Sequence, residues 1–130
     1  MTIIDDMAKE ILGELEAARA SAMGGLFSNM CDAIEDGFPW DGEIYQIDDV
    51  STSRMVTVLG ELRSGATDAH GGFWITSSNL KVDMDSSEVT SLLEGAISFR
   101  LDIDQRYLTQ RDKLSMATTV DEISEIGIDF

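Results

Sequence analysis

The 130-residue chain is poor in the residue types that carry most enzymatic and metal chemistry. It has one cysteine, Cys31, and one histidine, His70, which excludes an internal disulfide framework and a histidine–cysteine zinc site. The sequence predicts Cys31 as a buried small hydrophobe on a helix and His70 as a solvated residue of a glycine-rich loop. Neither a phosphate-binding glycine loop nor a serine–histidine–aspartate system can be assembled. We therefore predict no enzyme activity, no catalytic residues, no metal site and no cofactor.

Long apolar runs are also missing. No segment approaches the roughly 20 apolar residues of a transmembrane helix. Asp5 and Asp6 stand where a secretory signal would carry basic residues, so no signal peptide is expected. These features predict a protein made in the cytoplasm without a membrane partner.

Basic residues are scarce as well. Nine Lys and Arg stand against 25 Asp and Glu, for a formal net charge of −16. The negative electrostatic potential of such a charge opposes binding to nucleic acid and to anionic membranes. Three explanations stay open: solubility, mimicry of nucleic acid, and docking on a basic partner.

The first 35 residues contain an apolar stripe at a mean spacing that is typical of one helix face. Its members are Ile4, Met7, Ile11, Leu15, Ala18 and Ala22. Gly24-Gly25 predicts a break or bend, followed by a second helical piece that ends near Gly37. Residues 1–35 are therefore an acidic helical segment, which either attaches the protein to a partner or packs on its own core.

Two strand–turn–strand signals follow, and each leads into an acidic helix start. Residues 38–48 turn at Asp41-Gly42, a strong two-residue hairpin signal. Residues 73–85 turn at Ser77-Ser78-Asn79, and residues 64–72 form a surface connection between the two units. Asp85 and Glu88 have the spacing of a capping box that opens a long helix.

The order of these elements defines the fold class. We predict a small single α+β domain in which two short β-hairpins pack on a long C-terminal helix, with an N-terminal helix added. Phe99 and Ile103 are expected to be buried on the long helix. Thr119 and Glu122 repeat the capping-box spacing and open a short last helix.

Aromatic residues cluster at the strands, and packing against the long helix explains most of them. Because alternate strand residues point to opposite faces, Phe73 and Trp74 cannot both face the core. Tryptophan and tyrosine are also favoured anchors of protein interfaces. The candidate interface residues are Met7, Ile11, Leu15, Trp40, Tyr45, Phe73 and Trp74.

Residues 36–130 resemble a domain of unknown function from phage tail-fibre and tail-fibre-associated proteins. The resemblance rests on Gly37-Phe38, Trp40-Asp41-Gly42, Tyr45, Asp48, Ser51-Thr52-Ser53, Trp74, Asn79, Val82, Met84, Val89, Leu92-Leu93, Arg111-Asp112-Lys113, Ala117-Thr118-Thr119, Ile123 and Ile126. It implies a non-enzymatic virion structural protein of a tail fibre or of its attachment. The partners would be other phage tail or virion proteins. The protein would act as a homo-oligomer or dock on an oligomeric fibre. The protein would be made in the host cytoplasm and end in the virion tail.

Two other functions remain compatible with the sequence. An acidic phage inhibitor could occupy the nucleic-acid groove of an enzyme. A tail-fibre assembly chaperone would bind a fibre transiently and be missing from the finished particle.

Overall fold

The computed structural model describes residues 2–66 and 70–130, so residues 67–69 of the predicted surface connection lie outside the described residues. The described chain is 68% helical, with four helices and two short antiparallel hairpins, which confirms the α+β class. The elements are α1 (Ile3–Asp36), β1 (Phe38–Trp40), β2 (Glu43–Tyr45), α2 (Asp49–Arg63), β3 (Phe73–Ile75), β4 (Lys81–Asp83), α3 (Ser86–Met116) and α4 (Val120–Glu125).

These elements form two compact units. Unit 1 combines the chain up to Cys31 with Asp104–Phe130, and unit 2 is the continuous stretch Asp32–Ile103. Helices α1 and α3 each contribute residues to both units. The boundary predicted between residues 35 and 36 falls in the last turn of α1, and the sequence did not indicate that residues 104–130 belong with the N-terminal segment.

Helix α1 runs without interruption through Gly24 and Gly25, so the predicted break there is wrong. A Cβ built on Gly25 would lie 3.0 Å from the Ile128 side chain, whereas one on Gly24 would meet nothing within 4 Å. Glycine disfavours a helix interior, yet the helix continues here. At Gly25 the small residue leaves room for the Ile128 side chain to approach closely. The helix ends where predicted, because Gly37 adopts a φ of +79° that side-chain-bearing residues rarely adopt.

The core of unit 1 is formed by α1, the end of α3 and α4. Its buried residues are Leu26, Leu114, Ala117 and Ile123. The Arg19 guanidinium donates to the carbonyl oxygens of Ser115 (2.9 Å) and Ala117 (3.1 Å), and also to that of Leu114. Arg19 thereby satisfies carbonyl groups that the end of a helix leaves without partners.

Side chains of the long helices form hydrogen bonds with the last residues of the described chain, within unit 1. The Asn29 amide donates to the carbonyl oxygen of Ile128 at 2.9 Å. Gln110 donates to that of Gly127 at 2.7 Å, and Arg106 to that of Asp129 at 2.6 Å. The segment after α4 is therefore part of the packed unit.

Unit 2 contains both hairpins, and their turns follow the sequence signals. Asp41 and Gly42 both have positive φ, as a type I′ turn requires, and Asn79 has a φ of 66° in the second turn. The Ser77 amide donates to the Ile44 carbonyl oxygen at 2.8 Å, which joins the two hairpins. The Asp85 and Glu88 side chains and backbone amides bond reciprocally, which confirms the predicted capping box.

The first hairpin packs on α3 through an aromatic contact. The rings of Phe38 and Phe99 lie 5.3 Å apart, and Arg100 of α3 donates to the Ile47 carbonyl oxygen at 2.5 Å. Ile103 is buried as predicted, whereas Phe99 is half-buried. The largest fully buried side chains of unit 2 are Tyr45, Ile47, Met55, Val89, Leu92 and Leu93.

Candidate functional site

The first turns of α1 carry apolar side chains that nothing in the described chain covers. Residues 3–14 are all exposed, and the exposed fractions are 77% for Ile4, 55% for Met7 and 61% for Ile11. Leu15, next along the same face, is half-buried against the core of unit 1. We call Ile4, Met7, Ile11 and Leu15 the N-terminal stripe. The stripe lies on the same helix face as Ala18 and Ala22, which pack on the core of unit 1, and extends that face into solvent.

Charged residues make up most of the rest of this helical segment, which also contains the exposed Ile3 and Leu12. With 100° of rotation per residue, the stripe covers one side of the helix. Asp5, Asp6, Glu10 and Glu16 point away from it, whereas Glu14 lies at its edge beside Met7. The segment contains Asp5, Asp6, Glu10, Glu14 and Glu16 against a single base, Lys9. An isolated helix of about three turns is marginal in water, so such a segment is stabilised when its apolar side is covered.

A groove in unit 1 adds to this apolar surface. It has a volume of about 400 Å³ and is lined by Lys113, Met116, Ala117, Glu122, Glu125 and Ile126. Ala117 and Ile126 belong to the same cluster on which Leu15 packs, and Met116 is exposed. The stripe and the groove therefore border one core.

The aromatic candidates of the hairpins lie in unit 2, and two of them are buried. Tyr45 is 1% exposed and Trp74 is 6% exposed, so neither presents surface to a partner. Trp40 and Phe73 are half-buried; Trp40 contacts Tyr45 edge-on and Phe73 lies beneath the Lys81 ammonium group. Of the pair Phe73 and Trp74, Phe73 is the more exposed, in agreement with the alternation of the strand.

The environment of Tyr45 changes its acidity. Burial raises the pKa of the Tyr45 phenol above its usual value, and the carboxylates of Glu43 and Asp41 raise it further. The neutral phenol is therefore favoured in the folded protein.

The two residues whose chemistry could have suggested an active site lie in unexpected places. His70 is 7% exposed, and its Nε2 lies 3.0 Å from the Met84 carbonyl oxygen, so the prediction of a solvated loop histidine is wrong. The Nδ1 atom of His70 has no hydrogen-bond partner among the described residues. Cys31 is exposed on α1, so the prediction of a buried thiol is wrong too. Both errors arise because a local sequence pattern does not fix which side of an element faces the core.

A cavity in unit 2 was not predicted. It has a volume of about 340 Å³ and is lined by Gln46, Ser51, Arg54, Trp74, Ile75, Thr76, Ser77 and Asn79. One signal was available in the sequence: Ser51 and Arg54 are three apart on a helix and so share a face, in a chain where bases are rare. The residues that meet them come from the two hairpins, and this meeting depends on tertiary structure.

Within residues 2–66 and 70–130, no group of three or more His, Cys, Asp or Glu side chains is placed to hold a metal ion. The helices of the same residues include none that is long and apolar enough to cross a membrane. No protein-family model, no curated protein and no solved structure matches the chain.

Proposed function

We propose that this protein is a non-enzymatic structural component of a phage particle, which attaches to a tail fibre or to its neighbours through the N-terminal stripe. The phage setting rests on the resemblance of residues 36–130 to tail-fibre-associated domains. The docking role rests on one observation: a packed helix face continues for about three turns beyond its own core with Ile4, Met7 and Ile11 exposed.

The chemistry of the segment defines its partner. The apolar side of the helix calls for an apolar groove, because covering these side chains removes hydrophobic surface from water. The carboxylates that border and flank the stripe, such as Glu14 and Glu10, favour basic residues along the rim of that groove, where complementary charge guides association. A second copy of this chain would bring acidic segments together, so a different protein with a basic, apolar-floored groove is the favoured occupant.

The stripe can be tested without unfolding the protein, because Ile11 is exposed. Ile11→Lys places a charge where the partner's apolar groove would enclose it, at a high desolvation cost. Ala17→Lys is the matched control, because Ala17 is exposed on the same helix about 120° away from Ile11. Both variants should give the circular dichroism and thermal transition of the unchanged protein.

Mass spectrometry of purified phage particles supplies the readout. The unchanged protein and Ala17→Lys should be present in the particles in a fixed ratio to the tail proteins. Ile11→Lys should be depleted by about tenfold or more, as expected when a charge is buried without a partner. Equal incorporation of both variants would show that the stripe does not attach the protein to the particle. Absence of the unchanged protein from the particles would show that the protein is not a virion component.

The two rival functions give different results in the same material. A fibre-assembly chaperone would co-purify with fibres from infected cells but not with particles. A mimic of nucleic acid would bind a nucleic-acid-handling enzyme, and that complex would weaken steeply with added salt because charge carries its affinity. Sedimentation of the purified protein would reveal dimers through the stripe if a second copy were the occupant.

A further inference from the structure

The cavity in unit 2 differs in charge from the protein around it. Among the described residues that line it, Arg54 carries the sole charge, although carboxylates outnumber bases by 25 to 9 in the chain. The guanidinium carbon of Arg54 lies 4.9 Å from the centroid of the Trp74 ring. Stacking on a buried ring holds the planar guanidinium in place and leaves its edge free to form paired hydrogen bonds.

The rest of the lining supplies neutral hydrogen-bonding groups. Thr76 is already engaged, because its hydroxyl accepts from the Leu80 amide at 3.0 Å and pairs with that of Ser78 at 3.1 Å. The side chains of Gln46, Ser51, Ser77 and Asn79 make no hydrogen bond to described residues and line the cavity. Two amides and two hydroxyls can therefore donate to, or accept from, a ligand.

The backbone around these groups is fixed before any ligand arrives. The Ser77 amide is bonded to the Ile44 carbonyl oxygen at 2.8 Å, and the Thr76 amide to that of Leu80 at 2.9 Å. A site with such a frame loses little conformational freedom when it binds. Its volume of about 340 Å³ is at the lower end of the range of roughly 300–1,000 Å³ that is usual for ligand pockets.

We propose that this cavity is a binding site for a small hydroxylated monocarboxylate, a compound of the sugar-acid class. Arg54 binds the carboxylate by paired hydrogen bonds. Gln46, Ser51, Ser77 and Asn79 bind the hydroxyl groups, while Trp74 and Ile75 provide the apolar wall. A single guanidinium among neutral groups matches one negative charge better than the near-double charge of a phosphate ester.

Heteronuclear NMR titration of the whole chain tests the site, with glucuronate as the probe. Glucose is the neutral analogue, and glucose 6-phosphate is the doubly charged one. Glucuronate should shift the resonances of the Trp74 indole and of the Asn79 and Gln46 side-chain amides, reaching saturation by about 10 mM, ten times a dissociation constant of about 1 mM. Glucose should cause no saturable shift, and the phosphate ester should bind more weakly than glucuronate.

Variants assign the effect to Arg54, which is exposed to solvent and covers one face of the Trp74 ring. Arg54→Gln should weaken glucuronate binding by about tenfold or more, because the charge-assisted pair of hydrogen bonds is lost. Arg63→Gln removes the same charge from the same helix outside the cavity, so it should bind like the unchanged protein. The proposal is overturned by the absence of a saturable response to glucuronate, by equal affinity for glucose, by tighter binding of the phosphate ester, or by equal loss in both variants.

Discussion

At the scale of single residues, most of the basic side chains make contacts with other parts of the same chain. At least six of the nine contact carbonyl oxygens, aromatic rings or carboxylates of the described chain: Arg19, Arg54, Arg63, Lys81, Arg100 and Arg106. Arg100, whose side chain is mostly covered, joins the Ile47 carbonyl to the exposed Asp49 carboxylate. These bases make contacts within the chain although Arg54, Arg63, Lys81 and Arg106 are exposed to solvent.

The raised pKa of Tyr45 predicts how stability changes in alkaline solution. The folded state keeps the phenol neutral at pH values where the unfolded chain, with a pKa of about 10, already ionises it. The contribution of the neutral phenol is therefore complete below about pH 10 and is lost as the pH rises toward the higher folded pKa. Urea unfolding at about pH 8 and about pH 10.5 should show this fall in the free energy of unfolding.

Tyr45→Phe is the control for that measurement, because it keeps the ring and removes the ionisable group. Its free energy of unfolding should fall less between the two pH values than that of the unchanged protein. An equal fall in both proteins would assign the alkaline effect to other groups.

At the scale of elements, α1 contains two glycines for which the low helix propensity of glycine and the packing of its surroundings have different weights. Gly24 and Gly25 are neighbours in one helix, yet a Cβ on the first meets open space and one on the second meets Ile128 at 3.0 Å. Gly24→Ala should raise the free energy of unfolding by about 0.5–1 kcal/mol, since alanine is the better helix former.

Gly25→Ala makes the same chemical change, but the Ile128 side chain must shift to admit the added methyl group. The free energy of unfolding should therefore rise less than in Gly24→Ala, or fall. Thermal and urea unfolding of both variants measure the difference directly. If Gly25→Ala stabilised the protein as much as Gly24→Ala, the close approach of the C-terminal segment to α1 would be disproved.

Local signals account for what the sequence predicted well. The turns at Asp41-Gly42 and Asn79, the caps at Asp85 and Thr119 and the helix end at Gly37 are each decided by residues within four positions. The failures at Gly24-Gly25, Cys31 and His70 concern which positions pack against distant residues and which stay exposed. The cavity was missed for the same reason, because Arg54 and Trp74 are 20 positions apart and meet only in the folded unit.

At the scale of the whole molecule, the net charge of −16 should oppose the compact state through self-repulsion. Raising the ionic strength from about 0.01 M to about 0.15 M shortens the Debye length from roughly 30 Å to roughly 8 Å. The Tm should therefore rise over this range, as measured by calorimetry. NaCl and KCl should act alike, because the effect is screening; a Tm that stays constant or falls would show that the carboxylates do not repel one another measurably.

Unit 1 is assembled from two segments, and this sets an order for its synthesis. Arg19 reaches carbonyl groups 95 to 98 positions later in the chain, and Asn29 reaches one 99 positions later. All of unit 2 is synthesised before the second segment of unit 1. While residues 32–103 are being added, Leu15, Ala18 and Leu26 therefore lack the residues of the second segment that cover them in the finished protein. The nascent chain presents the complete apolar face of α1 to the cell, and the finished protein retains only its first three turns in that state.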